Sequence, residues 1–291
     1  MNFKKIKNKF GFYQIEPKPT KEELKEFYQK KYYQESKGSF EVKYNKAEQV
    51  YFRNESITFE RIWEMFGKSK NIKLLDVGCG EGYFMKYFVE QGYKAEGFDF
   101  SNWGITHHNK KLLKYFEQGD IYEILDKKIS KEKKYDLINL GNILEHVLEP
   151  LELLDKLKKL MNKESLLRIK VPNDYSDFQM LLLKQKKIKE SAWFTPPDHL
   201  SYFNFKSLRK TLKAKGFRVY KMLADFPNEI YLSNEYSNYF KTRSKGKECH
   251  NSRVLITNFL FNTGVDKYIK YMESAGNCGI GRTITAYVSL K

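Results

Sequence analysis

The sequence contains little cysteine or proline and no long apolar run. Its three cysteines, Cys79, Cys249 and Cys278, are odd in number and lack the spacing of metal ligands, so neither a disulfide framework nor a structural zinc site is expected. The lysines near residue 1 are followed by no apolar segment, and no apolar run approaches about 18 residues, so neither a signal peptide nor a membrane span is predicted. We therefore expect a protein of the reducing cytoplasm.

Acidic residues are scarce relative to basic ones. The chain has 53 lysines and arginines against 36 aspartates and glutamates, a formal net charge of +17, and such an excess favours an anionic partner such as nucleic acid. The composition is also that of an AT-rich genome, which produces many lysines without selection for a polyanion, and no RNA-binding module is visible. Nucleic acid is therefore not the expected partner. With 41% apolar residues in 291, the chain can bury a sizeable core, as one large domain or one domain with a cap.

The clearest local pattern is an apolar run that ends in three glycines at alternate positions, Gly78, Gly80 and Gly82. Residues 72–77 are predicted to form a buried parallel strand, and residues 82–91 a helix that stops at Gly92. Glycine allows the backbone to turn sharply and to come close to a ligand. A strand, a glycine turn and a helix form a ligand-binding crevice at the carboxyl end of a sheet.

The spacing of these glycines and of the next acidic residue indicates the kind of ligand. A dinucleotide-binding turn requires G-x-G-x-x-G, and its third glycine would fall at Tyr83, so that motif is absent. Asp99 instead ends the next predicted strand, 19 positions after Gly80. A carboxylate there can accept hydrogen bonds from a ribose diol, and Phe100 can flank a base. The pattern therefore favours a nucleoside without phosphates.

These residues resemble the class I S-adenosylmethionine-dependent methyltransferases, and the resemblance continues down the chain in the right order. Residues 119–121 are similar to the segment whose aspartate meets the adenine amino group, and residues 135–140 are similar to the fourth strand. Residues 142–147 (NILEHV) are similar to the LEHV signature of the branch that contains quinone O-methyltransferases and many sugar methyltransferases. Together these segments cover about residues 70–175.

The resemblance implies an α/β fold with a Rossmann-like, seven-stranded and mostly parallel sheet, and S-adenosyl-L-methionine as the cofactor. Alternating strands and helices of the predicted lengths agree with a parallel sheet joined by right-handed crossovers. The residues that the resemblance places at the cofactor are Asp76, Gly78, Cys79, Gly80, Gly82, Phe84, Asp99, Phe100, Ser101, Gly119, Asp120, Ile121, Leu140, Gly141 and Asn142.

Three parts are predicted along the chain. Residues 1–66 form an N-terminal helical arm or lid, residues 67–224 form the cofactor-binding core with an insertion at about 175–200, and residues 225–291 form a cap over the acceptor together with a closing antiparallel strand. The helices predicted from capping residues and periodicity are 20–33, 49–66, 101–115, 150–161 and 175–190.

The chemistry of methyl transfer narrows the search for catalytic residues. The reaction is an in-line displacement, so the enzyme must hold an acceptor about 3 Å from the methyl carbon and exclude water. A hydroxyl or amine acceptor also benefits from a base, and histidine has a suitable pKa. We expect His107 and His108 to have surface roles, and we expect no group near His250 that would activate it. His146 and His199 remain as candidates.

His199 is the better candidate for the base. Residues 197–203 (PDHLSYF) resemble the P-x-H-x-x-x-F element of sugar and small-molecule methyltransferases, where the histidine faces the acceptor pocket and can act as base. Tyr202 is a supporting candidate, and Asn173 and Asp174, after the fifth strand, can bind acceptor hydroxyls together with His199. The alternative is that His199 only holds its loop in place, and that His146, at the start of the helix after the fourth strand, has a packing and capping role.

A metal site is not expected. Quinone O-methyltransferases of the resembled branch can carry Glu-x-x-Glu-His, which can hold a divalent ion. Asn142 takes the first position here, which removes a carboxylate. S-adenosyl-L-methionine is therefore the one non-protein group that the sequence predicts.

The resemblance favours a small-molecule acceptor, above all a sugar or sugar nucleotide in the biosynthesis of a surface glycan such as capsule or lipopolysaccharide. A quinone-type O-methyltransferase is the alternative, although no membrane-facing amphipathic helix is visible. An RNA methyltransferase is favoured by charge alone, and no N-P-P-type motif is visible. The sequence leaves open which atom is methylated and whether the protein is a homodimer.

Overall fold

A seven-stranded sheet forms the centre of the computed structural model, which describes residues 3–33, 43–67 and 72–291. Numbered in chain order, the strands lie side by side as Phe116–Gln118 (β5), Lys94–Asp99 (β4), Lys73–Val77 (β3), Tyr135–Gly141 (β6), Met161–Pro172 (β7), Thr283–Leu290 (β10) and Phe217–Ala224 (β9). The first five of these run parallel, and β10 is antiparallel to both of its neighbours. This topology confirms the predicted α/β fold and its closing antiparallel strand.

A second, three-stranded antiparallel sheet joins the N-terminal segment to the middle of the chain. It consists of Lys4–Lys7 (β1), Tyr13–Glu16 (β2) and Ser201–Tyr202 (β8). Tyr13 of β2 pairs with Tyr202 of β8. Because β8 follows His199 closely, the N-terminal strands help to fix the loop that carries this histidine.

Helices cover both faces of the main sheet. Among the described residues, no helix is both long and apolar enough to cross a bilayer. The helices are Lys21–Tyr33 (α1), Lys46–Met65 (α2), Tyr83–Glu90 (α3), Trp103–His108 (α4), Ile121–Ser130 (α5), Pro150–Lys159 (α6), Asp177–Lys184 (α7), Phe205–Ala214 (α8), Glu229–Ser233 (α9), Gly246–Asn262 (α10) and Val265–Asn277 (α11).

The central strands are buried on both faces because successive residues point to opposite sides of the sheet. Leu74 of β3 belongs to an apolar cluster with Phe59 of α2 and Met272 of α11. Leu75 belongs to the cluster on the other face, with Leu154 of α6. Helix α11, which falls in the segment predicted to cap the acceptor, therefore packs on one face of the main sheet.

Two predicted helices are shorter in the structure because polar residues interrupt them. The predicted helix 101–115 divides into α4 and a 3₁₀ helix at Lys110–Tyr115, since Asn109 departs from helical geometry and donates its side-chain amide to the Glu81 carbonyl at 2.7 Å. The predicted helix 175–190 is reduced to α7, which Ser176 caps at its start.

The boundaries of three other elements also differ from those predicted. The helix after the fourth strand begins at Pro150, so the prediction that His146 begins it is wrong, and His146 lies in the preceding turn. Met161 begins β7 rather than ending α6. Helix α2 begins three residues earlier than predicted because Asn45 and Glu48 form a capping box.

Candidate active site

The glycine turn after β3 has a backbone conformation that L side chains rarely adopt. The φ angle is +68° at Gly78, +52° at Gly80 and +76° at Gly82, in the left-handed region. A Cβ atom on Gly78 would lie 2.2 Å from Cδ1 of Ile143, whereas a Cβ atom on Gly80 would meet no described heavy atom within 4 Å. Gly78 is therefore needed for packing, and Gly80 leaves an open surface for a ligand.

The carboxylate of Asp99, at the end of β4, is bonded to this turn. Its Oδ2 accepts a hydrogen bond from the Gly80 amide at 2.9 Å, and its Oδ1 accepts one from the Ser101 amide at 3.1 Å. Burial raises the pKa of Asp99. The structure thus brings together the two groups that the sequence assigns to one nucleoside. The contact of Asp99 with a ribose stays a prediction.

Asp76, near the end of β3, is a buried carboxylate with one oxygen left over. Its Oδ1 accepts a hydrogen bond from Asn139 Nδ2 at 2.7 Å, and Oδ2 has no hydrogen-bond donor in the described part of the chain. Burial raises the pKa of Asp76 to about 6. An unpaired buried acceptor costs about 1–3 kcal/mol. A ligand that places an ammonium group beside the glycine turn would supply the missing donor.

The other predicted cofactor residues lie along the same sheet edge, several of them with their side chains engaged elsewhere. Cys79 and Leu140 are buried, and Phe84 packs among aromatic side chains of α2 and α3. The Asp120 carboxylate caps α5 by accepting hydrogen bonds from two amides at 2.8 and 3.2 Å. Phe100 is 36% exposed and available to flank a base. At or after the ends of β4, β5 and β6 lie Ser101, Gly119, Ile121, Gly141 and Asn142.

The two candidate catalytic histidines face each other beside this edge. The ring centroids of His146 and His199 are 4.8 Å apart, with an angle of 81° between the rings. His146 Nδ1 donates a hydrogen bond to the Asp198 carbonyl at 2.7 Å, and the Tyr28 hydroxyl of α1 lies 3.1 Å from the same nitrogen. A neutral imidazole that donates from Nδ1 has its basic nitrogen at Nε2.

A buried carboxylate, Glu145, completes this cluster and is not among the residues predicted from the sequence. Its Oε1 lies 3.9 Å from His146 Nε2, and Oε2 has no hydrogen-bond donor among the described residues. Burial, together with the nearby charges of Asp174 and Asp198, raises the pKa of Glu145 to about 8. The signal that could have identified it is its place inside the LEHV signature.

This cluster has the donor set of a metal site. Glu145, His146 and His199 each offer one ligand atom, and these atoms all lie within 4.8 Å of one another. A carboxylate with two imidazoles suits a transition metal. The expectation that no metal binds depends on Asn142, which lacks a carboxylate. The structure brings His199 from a distant segment to the same place, so an ion here would not need a ligand from Asn142.

Three further predicted residues hold loops around the cluster. The Tyr202 hydroxyl donates to the His199 carbonyl at 2.9 Å, so Tyr202 positions the histidine. Asn173 donates its side-chain amide to two backbone carbonyls before β10, at 2.8 and 3.2 Å. Asp174 accepts a hydrogen bond from Arg282 at 3.0 Å, and burial raises its pKa to about 6 although Arg282 opposes the shift. The predicted contacts of Asn173 and Asp174 with an acceptor stay predictions.

A buried ionic network that no local pattern predicts connects α2 to the glycine turn. Glu55 of α2 pairs with Lys170 and, at 2.9 Å, with Arg168, both on β7. Arg168 also donates to Asn139 Oδ1 at 2.6 Å, and Asn139 holds Asp76. Burial opposes ionisation of Glu55, but Lys170 and Arg168 hold its pKa at about 2. Helix α2 is therefore fixed to the sheet next to Asp76.

The sequence matches the family described as "Methyltransferase domain" over residues 51–222, more than half of the chain. The chain therefore belongs to this family of methyltransferases. It is an S-adenosyl-L-methionine-dependent methyltransferase, as the resemblance of its motifs implies. No curated protein matches the sequence significantly.

Solved structures of similar fold include methyltransferases crystallised with SAH. The plantazolicin methyltransferase BpumL in complex with SAH is 17% identical, with a TM-score of 0.51 and coverage of 94% of this chain and 91% of that one. BamL in complex with a triazolic desmethylPZN analog and SAH is 15% identical, with a TM-score of 0.50 and the same coverage, 94% and 91%. A SAM-dependent methyltransferase from Archaeoglobus fulgidus is 19% identical over 84% of this chain and 97% of that one, with a TM-score of 0.49. At these identities the likeness to BpumL and BamL shows the fold alone.

The residues at the glycine turn fit this cofactor. The open surface at Gly80 leaves room for a ligand against the backbone. The unpaired Oδ2 of Asp76 would hold the ammonium group of the methionine part, and Asp99 would hold the ribose.

Proposed function

We propose that this methyltransferase acts on a hydroxyl group of a sugar or sugar nucleotide in the biosynthesis of a surface glycan. S-adenosyl-L-methionine, when bound, supplies an electrophilic methyl group, so the chain must supply a place for the acceptor and a base for its proton. The observation that carries the proposal is the meeting of His146 and His199 beside the glycine turn. Ile143, three residues before His146, fills the space next to Gly78. The turn that carries His146 therefore packs against the glycine turn.

In this proposal His199 takes the proton of the acceptor hydroxyl. Glu145 offers a carboxyl oxygen within 4.8 Å of the ligand nitrogen of His199. Its ionised form, which predominates above about pH 8, stabilises a protonated imidazole. The Tyr202 hydroxyl holds the backbone of His199. A positioned base of this kind contributes about 10²–10⁴-fold to a rate.

Helix α1 supports a small acceptor rather than a polymer. Its Tyr28 hydroxyl reaches both His146 and, at 3.1 Å, the Asp198 carbonyl, so the helix lies over the histidine cluster. A cover at this position excludes water from the reacting groups, as methyl transfer requires. A site covered in this way favours a small acceptor over an extended chain.

The proposal is tested by offering acceptors of different classes to the enzyme. Purified protein is incubated with methyl-labelled S-adenosyl-L-methionine and, separately, with sugar nucleotides, extracted glycans, quinone precursors and RNA. We expect label in a sugar-containing product. We further expect His199→Ala to lower the rate by about 10²–10⁴-fold without changing cofactor affinity measured by calorimetry.

His250→Ala is the matched control. His250 lies on α10, and its Nε2 is bonded to Glu48 at 2.8 Å, so the expectation that no group near it could activate it is wrong. His250 is not part of the histidine cluster, so its loss should leave the rate unchanged. Label in quinone precursors or RNA alone would refute the sugar acceptor. A wild-type rate for His199→Ala would remove this histidine from catalysis.

A further inference from the structure

A second cavity, lined in part by Arg282, has no role in the methyl transfer as described so far. Its volume is about 120 Å³, roughly ten times the ~10–15 Å³ that one water molecule needs. Its walls come from α7, α9, residues 188–193 and 239–240, and the loop before β10. The cavity is large enough for one small ring.

Two hydrogen-bond acceptors that line this cavity are buried and incompletely paired. Glu229 and Gln179 are 2% and 3% exposed. Gln179 Nε2 donates to Glu229 Oε1 at 3.0 Å, which leaves Glu229 Oε2 and Gln179 Oε1 with no hydrogen-bond donor in the part of the chain that the structure describes. Buried acceptors without donors are unfavourable. The cavity therefore suits a ligand that offers at least two hydrogen-bond donors.

The charges around the cavity favour a neutral ligand. Arg282 donates to Asp174 at 3.0 Å, and the charges of Asp174 and Glu229 both raise the pKa of its guanidinium against the effect of burial. A cationic ligand would meet the buried guanidinium at close range. An anionic ligand would meet the carboxylate of Glu229, which lines the cavity. Neutral hydroxyl groups satisfy the free acceptors without either repulsion.

The apolar part of the lining is aromatic. Trp193, Tyr239 and Phe240 contribute to the walls, and flat rings suit the C–H face of a saturated ring that bears hydroxyls at its edge. Trp193 packs edge-on against Tyr175 at 5.5 Å, and Tyr175 packs against Tyr202 at 6.0 Å. Because Tyr202 holds His199, the cavity wall is continuous with the support of the candidate base.

We propose that this cavity binds one sugar ring of the acceptor, whose hydroxyls donate to Glu229 and Gln179. This inference rests on the proposed function and adds to it the residues that recognise the sugar. The carboxylate and amide oxygens select for hydroxyl donors, and the aromatic walls select for the ring.

The probe is a set of simple glycosides: the methyl α-pyranosides of D-glucose, D-galactose, D-mannose and L-rhamnose. Cyclohexylmethanol, a ring without ring hydroxyls, serves as the matched compound. Binding to the full chain is measured by saturation-transfer NMR. We expect at least one glycoside to bind and cyclohexylmethanol not to bind. We expect Glu229→Gln, which replaces the free acceptor by a donor, to weaken that binding by about tenfold or more.

Glu235→Gln is the matched control, because Glu235 is an exposed carboxylate of the neighbouring segment, paired with Lys241; we expect it to bind the glycoside as the wild type does. Gln179→Met tests the second acceptor if Glu229→Gln does not fold.

Absence of binding by every glycoside, in protein that still binds S-adenosyl-L-methionine, would overturn the proposal, as would unchanged binding by the folded variants. If the Glu229→Gln variant methylates sugar nucleotides as well as the wild type does, the proposed function stands, but the proposed role of this cavity is wrong. If the enzyme binds glycosides in this cavity but methylates only quinone precursors or RNA, the cavity binds sugars and the proposed function is wrong.

Discussion

The cofactor edge and the acceptor side of this enzyme are assembled from the chain in different ways. At the cofactor edge, the bond between Gly80 and Asp99 spans 19 residues and joins the ends of adjacent strands. On the acceptor side, the contact between Tyr28 and His146 spans 118 residues, and that between His146 and Asp198 spans 52. A site built from neighbouring strand ends appears in the sequence as a motif with fixed spacing, whereas a site built across the fold does not.

Gly80→Ala breaks the cofactor edge most directly. A Cβ atom at this position projects into the open surface, so we expect S-adenosyl-L-methionine affinity to fall by about tenfold to a hundredfold. The positive φ of +52° should lower the free energy of unfolding by about 1–2 kcal/mol. Calorimetry and urea unfolding measure the two effects separately.

Gly92→Ala is the control that separates the cost of backbone strain from the effect of a side chain that blocks the ligand surface. Gly92 has a φ of +80°, and a Cβ atom there would meet no described heavy atom within 4 Å, so its substitution should cost similar stability and no affinity. If both variants bind the cofactor as the wild type does, the cofactor does not lie against Gly80. The motif would then define a fold but not a binding surface.

The parts of the fold predicted from the sequence are those whose signals are local. The strands at residues 72–77 and 94–99 and the turn between β3 and α3 follow from apolar runs and glycines a few residues apart. His146 and His199 each lie in a short signature, so the sequence identifies each histidine separately but not their contact. Their meeting depends on the packing of the loop before β8.

The parts that the sequence does not predict depend on contacts between distant segments. Asn109 ends α4 because its side chain bonds to the Glu81 carbonyl, 28 residues away, so periodicity alone extends the helix too far. The sequence shows Glu145 only as one residue of a signature, whereas the structure buries it and leaves its Oε2 without a hydrogen-bond donor among the described residues. The cavity beside Arg282 likewise exists only where α7, α9 and the loop before β10 come together.

Glu145→Gln tests the electrostatics of the acceptor side. The carboxyl pKa is about 4.3 in an unfolded chain and about 8 in the folded one, so the folded state binds more protons between these values. The wild type therefore loses stability as pH rises from about 4 to 8, and the variant lacks this loss. We expect its unfolding free energy, relative to wild type, to rise by up to about 1.4 kcal/mol per pH unit in that window.

Urea unfolding at pH 5, 7 and 9 measures this difference, with a chelator present so that no bound cation compensates the carboxylate. Glu235→Gln provides the comparison, since Lys241 lowers the pKa of that exposed carboxyl. A pH-independent difference between Glu145→Gln and wild type would show that Glu145 is not held in a buried, uncompensated site. The acceptor cluster would then resemble the Asp99 carboxylate, whose two oxygens accept hydrogen bonds from the Gly80 and Ser101 amides.

The smallest expected effect is that of Tyr28→Phe, which removes a hydroxyl from the acceptor side and leaves the cofactor edge intact. The hydroxyl contacts His146 Nδ1 and the Asp198 carbonyl, each at 3.1 Å. Losing one such neutral contact should lower kcat/KM for the acceptor by about 2- to 10-fold, with unchanged cofactor affinity. Tyr236→Phe, at a side chain 83% exposed, should change neither quantity. If Tyr28→Phe lowers cofactor affinity by the same factor as kcat/KM, then α1 covers both the cofactor and the acceptor. The two halves of the site would then depend on the position of this one helix.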